Sequence, residues 1–316
     1  MKKIYLSVVL AAMTMACYFT PSAAAQEEGG AYVPVSAAVA LVTPDTENDY
    51  WNSFVSAAMN EAGELNSAGS AIQILSFSQE GDSRISMIEN IEEAIDAGVS
   101  YLVFASPNAE TYTNALQDAA DSGIQIIYAE TKASADGLLF GPDNYAGAIL
   151  VGEYLMEKLN EAGVGKGLIG IIDMMEDNDL YKDRLEGFQE AFKDSSYTLE
   201  DPVSCHGDKE EAISIANALM DRGAVAVFAD GAAASEGLAE SDEVENVLKI
   251  GWDWFEQCSD YVEEEMLSAL VSADPSLMGV YVIDAVVAIE NHEDLENFWI
   301  DTGIRLFEAG AQVSYE

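Results

Sequence analysis

The sequence predicts an α/β protein made of two Rossmann-like, doubly wound lobes, each a parallel sheet covered by helices. Three observations lead there. Short runs that are apolar throughout alternate with longer runs of helical spacing. The alternation comes in two series along the chain. The 316 residues, 49% of them hydrophobic, suffice for about two domains with real cores.

In the first series, strand-length apolar runs fall at 37–42, 72–77, 101–105, 124–129 and 137–140. Between the second and third runs, Ile85, Ile88, Ile91, Ala94 and Ile95 share one helical face, while Glu89, Glu92, Glu93 and Asp96 occupy the others. Ala115, Leu116, Ala119 and Ala120 repeat the pattern before the fourth run. Gly98 and Gly123 stand where each helix must end. In the second series, 168–172, 224–229 and 247–251 read as strands, and 180–192, 210–220 and 277–289 as helices.

The N-terminus reads as an export signal over residues 1–25. Lys2 and Lys3 precede an apolar stretch over 4–16, Pro21 breaks it, and Ala23-Ala24-Ala25 forms a small-x-small cleavage site. Cys17 follows Thr14-Met15-Ala16, a loose lipoprotein box that lacks the usual Leu at Thr14. Cleavage after Ala25 gives a free periplasmic or extracellular protein; lipidation of Cys17 gives one tethered to a membrane. With 57 Asp and Glu against 13 Lys and Arg, the net charge of −44 argues against nucleic acid and anionic membrane surfaces as partners.

Motifs for other chemistry fail in context. The glycine run Gly163-Val164-Gly165-Lys166-Gly167 follows a helix and precedes a strand, the reverse of what a phosphate loop needs. His206 and His292 are the only histidines, with no HExxH, CxxC or GxSxG pattern. Neither a cofactor, a metal nor a catalytic residue is expected. Cys205 and Cys258 are open to two readings, a disulfide or two separate buried thiols.

Four segments at or after strand ends carry polar and aromatic residues, where ligands of open α/β sheets sit. They are Thr43 through Trp51, Tyr128-Ala129-Glu130-Thr131, Asp173 through Phe188, and Gly251-Trp252-Asp253-Trp254. In this order, with Gly141-Pro142-Asp143-Asn144 and Asp301-Thr302-Gly303, they resemble the periplasmic sugar-binding proteins of ABC importers, of the ribose- and galactose-binding type. The resemblance covers nearly all of residues 36–307.

It implies a type I periplasmic-binding-protein fold, with three chain crossings at a hinge. Lobe one would be 31–142 plus 275–300, and lobe two 143–273 plus 302–316. It implies an exported, monomeric protein that captures a sugar or sugar-like molecule between the lobes and delivers it to an ABC permease. A sensor serving a chemoreceptor or histidine kinase, and a binder of a nucleoside, are the alternatives within the fold; an exported enzyme is the remaining rival. Carried over residue by residue, the ligand-binding set is Asn48, Tyr50, Trp51, Glu130, Arg184, Asp230, Trp252 and Asp253. Three departures stand out: Glu130-Thr131 replaces the family's Asp-Arg, Gly231 beside Asp230 replaces an Asn, and Ala273 beside Asp274 falls at a Gln. The expected pocket therefore keeps carboxylates but loses an Arg and two amides, which suits a modified sugar, a nucleoside or a cationic polyol.

Overall fold

The computed structural model describes residues 33–44, 49–78, 84–176, 178–293, 295 and 299–310. The signal-peptide reading, Cys17 and Asn48 fall outside them.

The elements follow in order. They are β1 (Ser36–Thr43), α1 (Asp49–Ser67), β2 (Ala71–Ser78), α2 (Arg84–Ala97), β3 (Tyr101–Ser106), α3 (Thr113–Asp121), β4 (Gln125–Glu130) and β5 (Leu138–Gly141). After them come α4 (Asn144–Glu161), β6 (Leu168–Asp173), α5 (Asp179–Phe192), β7 (Thr198–Leu199), β8 (Val203–Ser204), α6 (Lys209–Asp221), β9 (Ala224–Ala229), α7 (Ala232–Glu240) and β10 (Leu248–Trp252). Last are α8 (Cys258–Glu263), β11 (Ala269–Ala273), α9 (Pro275–Glu290), β12 (Trp299–Asp301) and β13 (Ile304–Glu308).

The strands form two sheets. The first has the order β12-β5-β4-β3-β1-β2, with every pairing parallel. The second has the order β13-β11-β10-β9-β6-β7, with β8 also on β6; only the β11–β13 pair is antiparallel. Strands buried on both faces explain why β3, buried at every position, carries Leu, Val and Phe without alternation. Gly98 and Gly123 take φ of +67° and +88°, so each ends its helix in the left-handed region that glycine alone enters freely.

The chain passes between the sheets three times. From β5 it enters α4, whose Ala148, Val151, Leu155 and Leu159 pack with β6, β9 and β10 of the second sheet. From β11 it enters α9, which packs on α1 and on β4 and β5. From β12 it continues directly into β13. The three passages are stitched together. Asp143 N and Gly303 N both donate to Asp301 Oδ1, at 2.9 and 2.8 Å. Thr302 N donates to Gly141 O at 3.1 Å. Arg305 Nε donates to Asp274 Oδ2 at 2.7 Å, and Asp274 also caps α9 by accepting from Leu277 N.

Gly279 of α9 lies so close to the Phe54 carbonyl that a Cβ there would collide with backbone. The glycine is what lets α9 approach α1. At that interface Asp284 of α9, 6% exposed, faces Glu61 of α1. Among the described residues no helix is long and apolar enough to cross a membrane. Cys205 and Cys258 are not joined in a disulfide, and both are buried in the second sheet's core.

Candidate functional site

The site grows from the carboxyl ends of strands in both sheets. From the first sheet come Glu130, the last residue of β4, and Tyr50, in the first turn of α1. From the second come Asp173 at the end of β6, Asp230 just past β9, and Asp253 just past β10. Arg184 reaches them from the middle of α5.

Arg184 organises the second-sheet side. Its side chain is 1% exposed. Nη1 donates to Asp253 Oδ2 and to the Asp230 carbonyl, both at 2.7 Å, and Nε donates to Asn144 Oδ1 at 2.8 Å. The guanidinium lies over the Trp252 ring at 4.6 Å and over the Tyr181 ring at 5.5 Å. Burial opposes its charge, but Asp253 outweighs that and holds its pKa above the ordinary value.

Two carboxylates are aimed by unusual backbone. Glu130 and Asp253 take φ of +75° and +72°, a left-handed conformation that costs a non-glycine residue about 1 kcal/mol or more. Asp253 is tied down by its own N–H on Val271 O at 2.9 Å, and its side chain remains 23% exposed.

The electrostatics are lopsided. The Glu130 carboxyl is pushed up to about 8, first by burial and then by the charge of Asp253; Arg184 and the Tyr50 hydroxyl pull it back only partly. Asp230 is fully buried and raised well above the carboxylate range, by burial and then by Asp173. One Asp230 oxygen accepts from Met174 N at 2.7 Å. Its other oxygen, Oδ2, and Glu130 Oε2 are buried with no partner among the described residues. The Tyr181 hydroxyl is influenced by Asp253, Arg184, Asp230 and Glu130 together, so these four groups share one neighbourhood across the two sheets.

The structure brings together Tyr50, Glu130, Arg184, Asp230 and Asp253 of the sequence-predicted set. It seats Trp51 differently: the ring packs edge-on against Tyr50 and Phe54, at 4.9 and 6.3 Å, in the packing of α1. Trp252 is wholly buried in the core beneath Arg184, edge-on to Phe228, so it supports the guanidinium from behind. Sequence reasoning did not single out Asn144, Asp173 and Tyr181. Asp173 and Tyr181 lay within a segment flagged for its place at a strand end and Asn144 within Gly141-Pro142-Asp143-Asn144, but nothing in the sequence told them from their neighbours.

The comparisons with known proteins agree with the fold. A curated D-ribose/D-allose-binding protein of Pseudomonas aeruginosa is 29% identical over 144 residues, 43% of this chain and 44% of that protein. The match thus spans less than half of that relative's length. Among solved structures, a sugar-binding protein of a sugar ABC transporter from Bacillus halodurans superposes with a TM-score of 0.76 at 18% identity, covering 86% of this chain and 97% of that one. An arabinose-binding protein from Geobacillus stearothermophilus gives the same score and identity, covering 87% and 97%. These likenesses show the type I periplasmic-binding fold. The family model for the periplasmic binding protein domain matches residues 39–294, so the chain belongs to the periplasmic binding protein domain family.

Proposed function

We propose that this is an exported solute-binding protein that captures a sugar or sugar-like small molecule between two lobes and delivers it to an ABC-type permease. The lobes are the two sheets with their helices, divided at the three crossings. The observation that carries the reading is the convergence of buried polar groups from both sheets: Glu130 on one side, and Arg184, Asp230 and Asp253 on the other. A hydroxylated ligand suits such walls, because carboxylates accept from hydroxyls and a guanidinium donates to them. Solved relatives point the same way, including a solute-binding protein from Actinobacillus succinogenes with bound D-allose, 19% identical with a TM-score of 0.71. Binding and release are the whole cycle; no bond is made or broken. The export signal over residues 1–25, the periplasmic or extracellular location and a monomeric state belong to the same reading.

Groups gripping one ligand from two lobes favour the closed arrangement, and three crossings form the hinge on which it closes. The test is calorimetry against a panel of monosaccharides, both neutral sugars and their amino derivatives. The reading expects at least one member to bind one to one and to raise the melting temperature. If no member binds, the reading fails.

A further inference from the structure

Tyr181 and Arg184 stand three residues apart in the first two turns of α5 and share one face of that helix. On the same face Phe188 is wholly buried and stacks on Phe228 at 4.2 Å. The face thus climbs from the core, through the guanidinium, to the strand ends of the second sheet. At its upper end Tyr181 covers Gly231, the residue after Asp230. A Cβ on Gly231 would lie 2.9 Å from Tyr181 Cε1 and 2.7 Å from Met174 Cβ. Gly231 has a φ of −160°, extended backbone open to any residue, so it is these neighbours that demand glycine. The Tyr181 ring occupies the space in which a side chain at 231 would stand.

The Tyr181 hydroxyl has no hydrogen-bond partner among the described residues, and unlike Glu130 Oε2 and Asp230 Oδ2 it is not sealed from solvent. It lies in the joint field of Asp253, Asp230 and Glu130. Glu130 belongs to the first sheet and the other two to the second, so the hydroxyl stands between the two sets of strand ends. Burial, then the charge of Asp253, holds the phenol above its ordinary pKa. The proton therefore stays on the oxygen through the neutral range, and the group can both donate and accept. Were the ring there only to fill space and support the guanidinium at 5.5 Å, phenylalanine would serve as well, since neither contact uses the hydroxyl.

We propose that Tyr181 contacts the solute and sets specificity on the second-sheet wall: its hydroxyl bonds one hydroxyl of a cyclic polyhydroxylated solute, while its ring closes the wall that Gly231 leaves bare. The inference rests on the reading above that the cleft is the solute site. Because the ring is held between Gly231 and Arg184, the hydroxyl has a fixed reach, and it serves a solute hydroxyl at one ring position and not at another.

The experiment is a double-mutant cycle between protein and solute. Tyr181→Phe keeps the ring over Gly231 and Arg184 and removes only the hydroxyl. Calorimetry at pH 7 compares parent and variant against D-ribose, L-arabinose, D-galactose, D-glucose, D-allose, D-glucosamine and D-galactosamine. It then compares them against analogues of the tightest binder that each lack one hydroxyl. The expected result is that the variant binds the intact sugar about fivefold or more weakly, and that for one analogue alone this penalty falls below about twofold, because the partner hydroxyl is already gone. A residue that merely supports the wall would weaken every analogue alike. A smaller loss on the intact sugar, or a penalty equal for all analogues, overturns the inference while the solute-binding reading stands. If no sugar binds the parent, that reading fails and the inference with it. Should the variant not fold, a crystal structure of the parent with the tightest sugar decides: a Tyr181 hydroxyl within about 3.5 Å of a solute hydroxyl supports the inference, and one farther away overturns it.

Discussion

Replacing Asp284 by Asn should make the protein more stable at alkaline pH, although the residue is buried and polar. Asp284 of α9 is pushed up to about 7 from an ordinary 3.8, first by burial and then by the charge of Glu61 across the α1 interface. Glu61 is raised as well, by burial and then by Glu64. The two carboxyls can share a hydrogen bond only while a proton stays on the pair. The sign follows from where that proton sits. Below about pH 4 the folded and unfolded chains both carry it. Between about 4 and about 7 the unfolded chain has lost it and the folded chain keeps it, so stability falls as pH rises. Above about 7 both have lost it and the loss is complete. Each unit of that window is worth ~1.4 kcal/mol, so a span of about three units sets a ceiling near 4 kcal/mol. Asn has no proton to lose, and its amide can still donate to Glu61. The variant should therefore exceed the parent by about 2–4 kcal/mol at pH 8. At about 2–4 °C per kcal/mol that is a gain of several degrees in melting temperature. Near pH 4 the two should agree within about 1 kcal/mol. Scanning calorimetry of both proteins from pH 4 to 8 decides it, since titrating groups other than the coupled Glu61 cancel in the difference. A gap that is the same at both ends, or a parent more stable at pH 8, would refute the reasoning.

Three further outcomes follow. Asp253→Ala strips Arg184 of its ion-pair partner and the cleft of an acceptor, and should cost about 2–5 kcal/mol of ligand affinity by calorimetry; Arg184→Ala should cost at least as much and also lower the melting temperature, because Asn144, Asp253 and the Asp230 carbonyl lose their donor. Gly279→Ala pushes a methyl into the Phe54 carbonyl and should lower stability by about 1–3 kcal/mol in a thermal melt. Cys205 and Cys258, being buried and not joined in a disulfide, should resist a thiol reagent until the protein unfolds, and a reductant should leave the melting temperature unchanged.

The repeating architecture was legible because parallel strands covered on both faces must be apolar throughout, and β1, β3, β4, β6 and β9 obey. β11 escaped notice because Ala269 to Ala273 is short and its apolar run is broken by Ser272. β7, β8 and β12 are two or three residues long, too brief for any period to show, and β13 carries Arg305 and Glu308 within its span. In the site, Arg184 and Asp253 stood out because each lies within a flagged segment and matches a binding residue of the family the sequence resembles, and because the chain has few arginines. The burial of Trp252 could not be read from sequence. Residues that alternate along a strand end point to opposite faces, and only packing distinguishes Trp252, wholly buried beneath Arg184, from Asp253, whose side chain is 23% exposed. The left-handed backbone at Glu130 and Asp253 was invisible as well, since neither residue is glycine.

The central claim is that groups from both sheets hold one small molecule. It is tested most directly by a crystal structure of the protein with the tightest-binding member of the monosaccharide panel. The prediction is one molecule bonded at once to Glu130 from the first sheet and to Asp253 or Arg184 from the second. A ligand that touches residues of one sheet only, or that lies away from these strand ends, would contradict it.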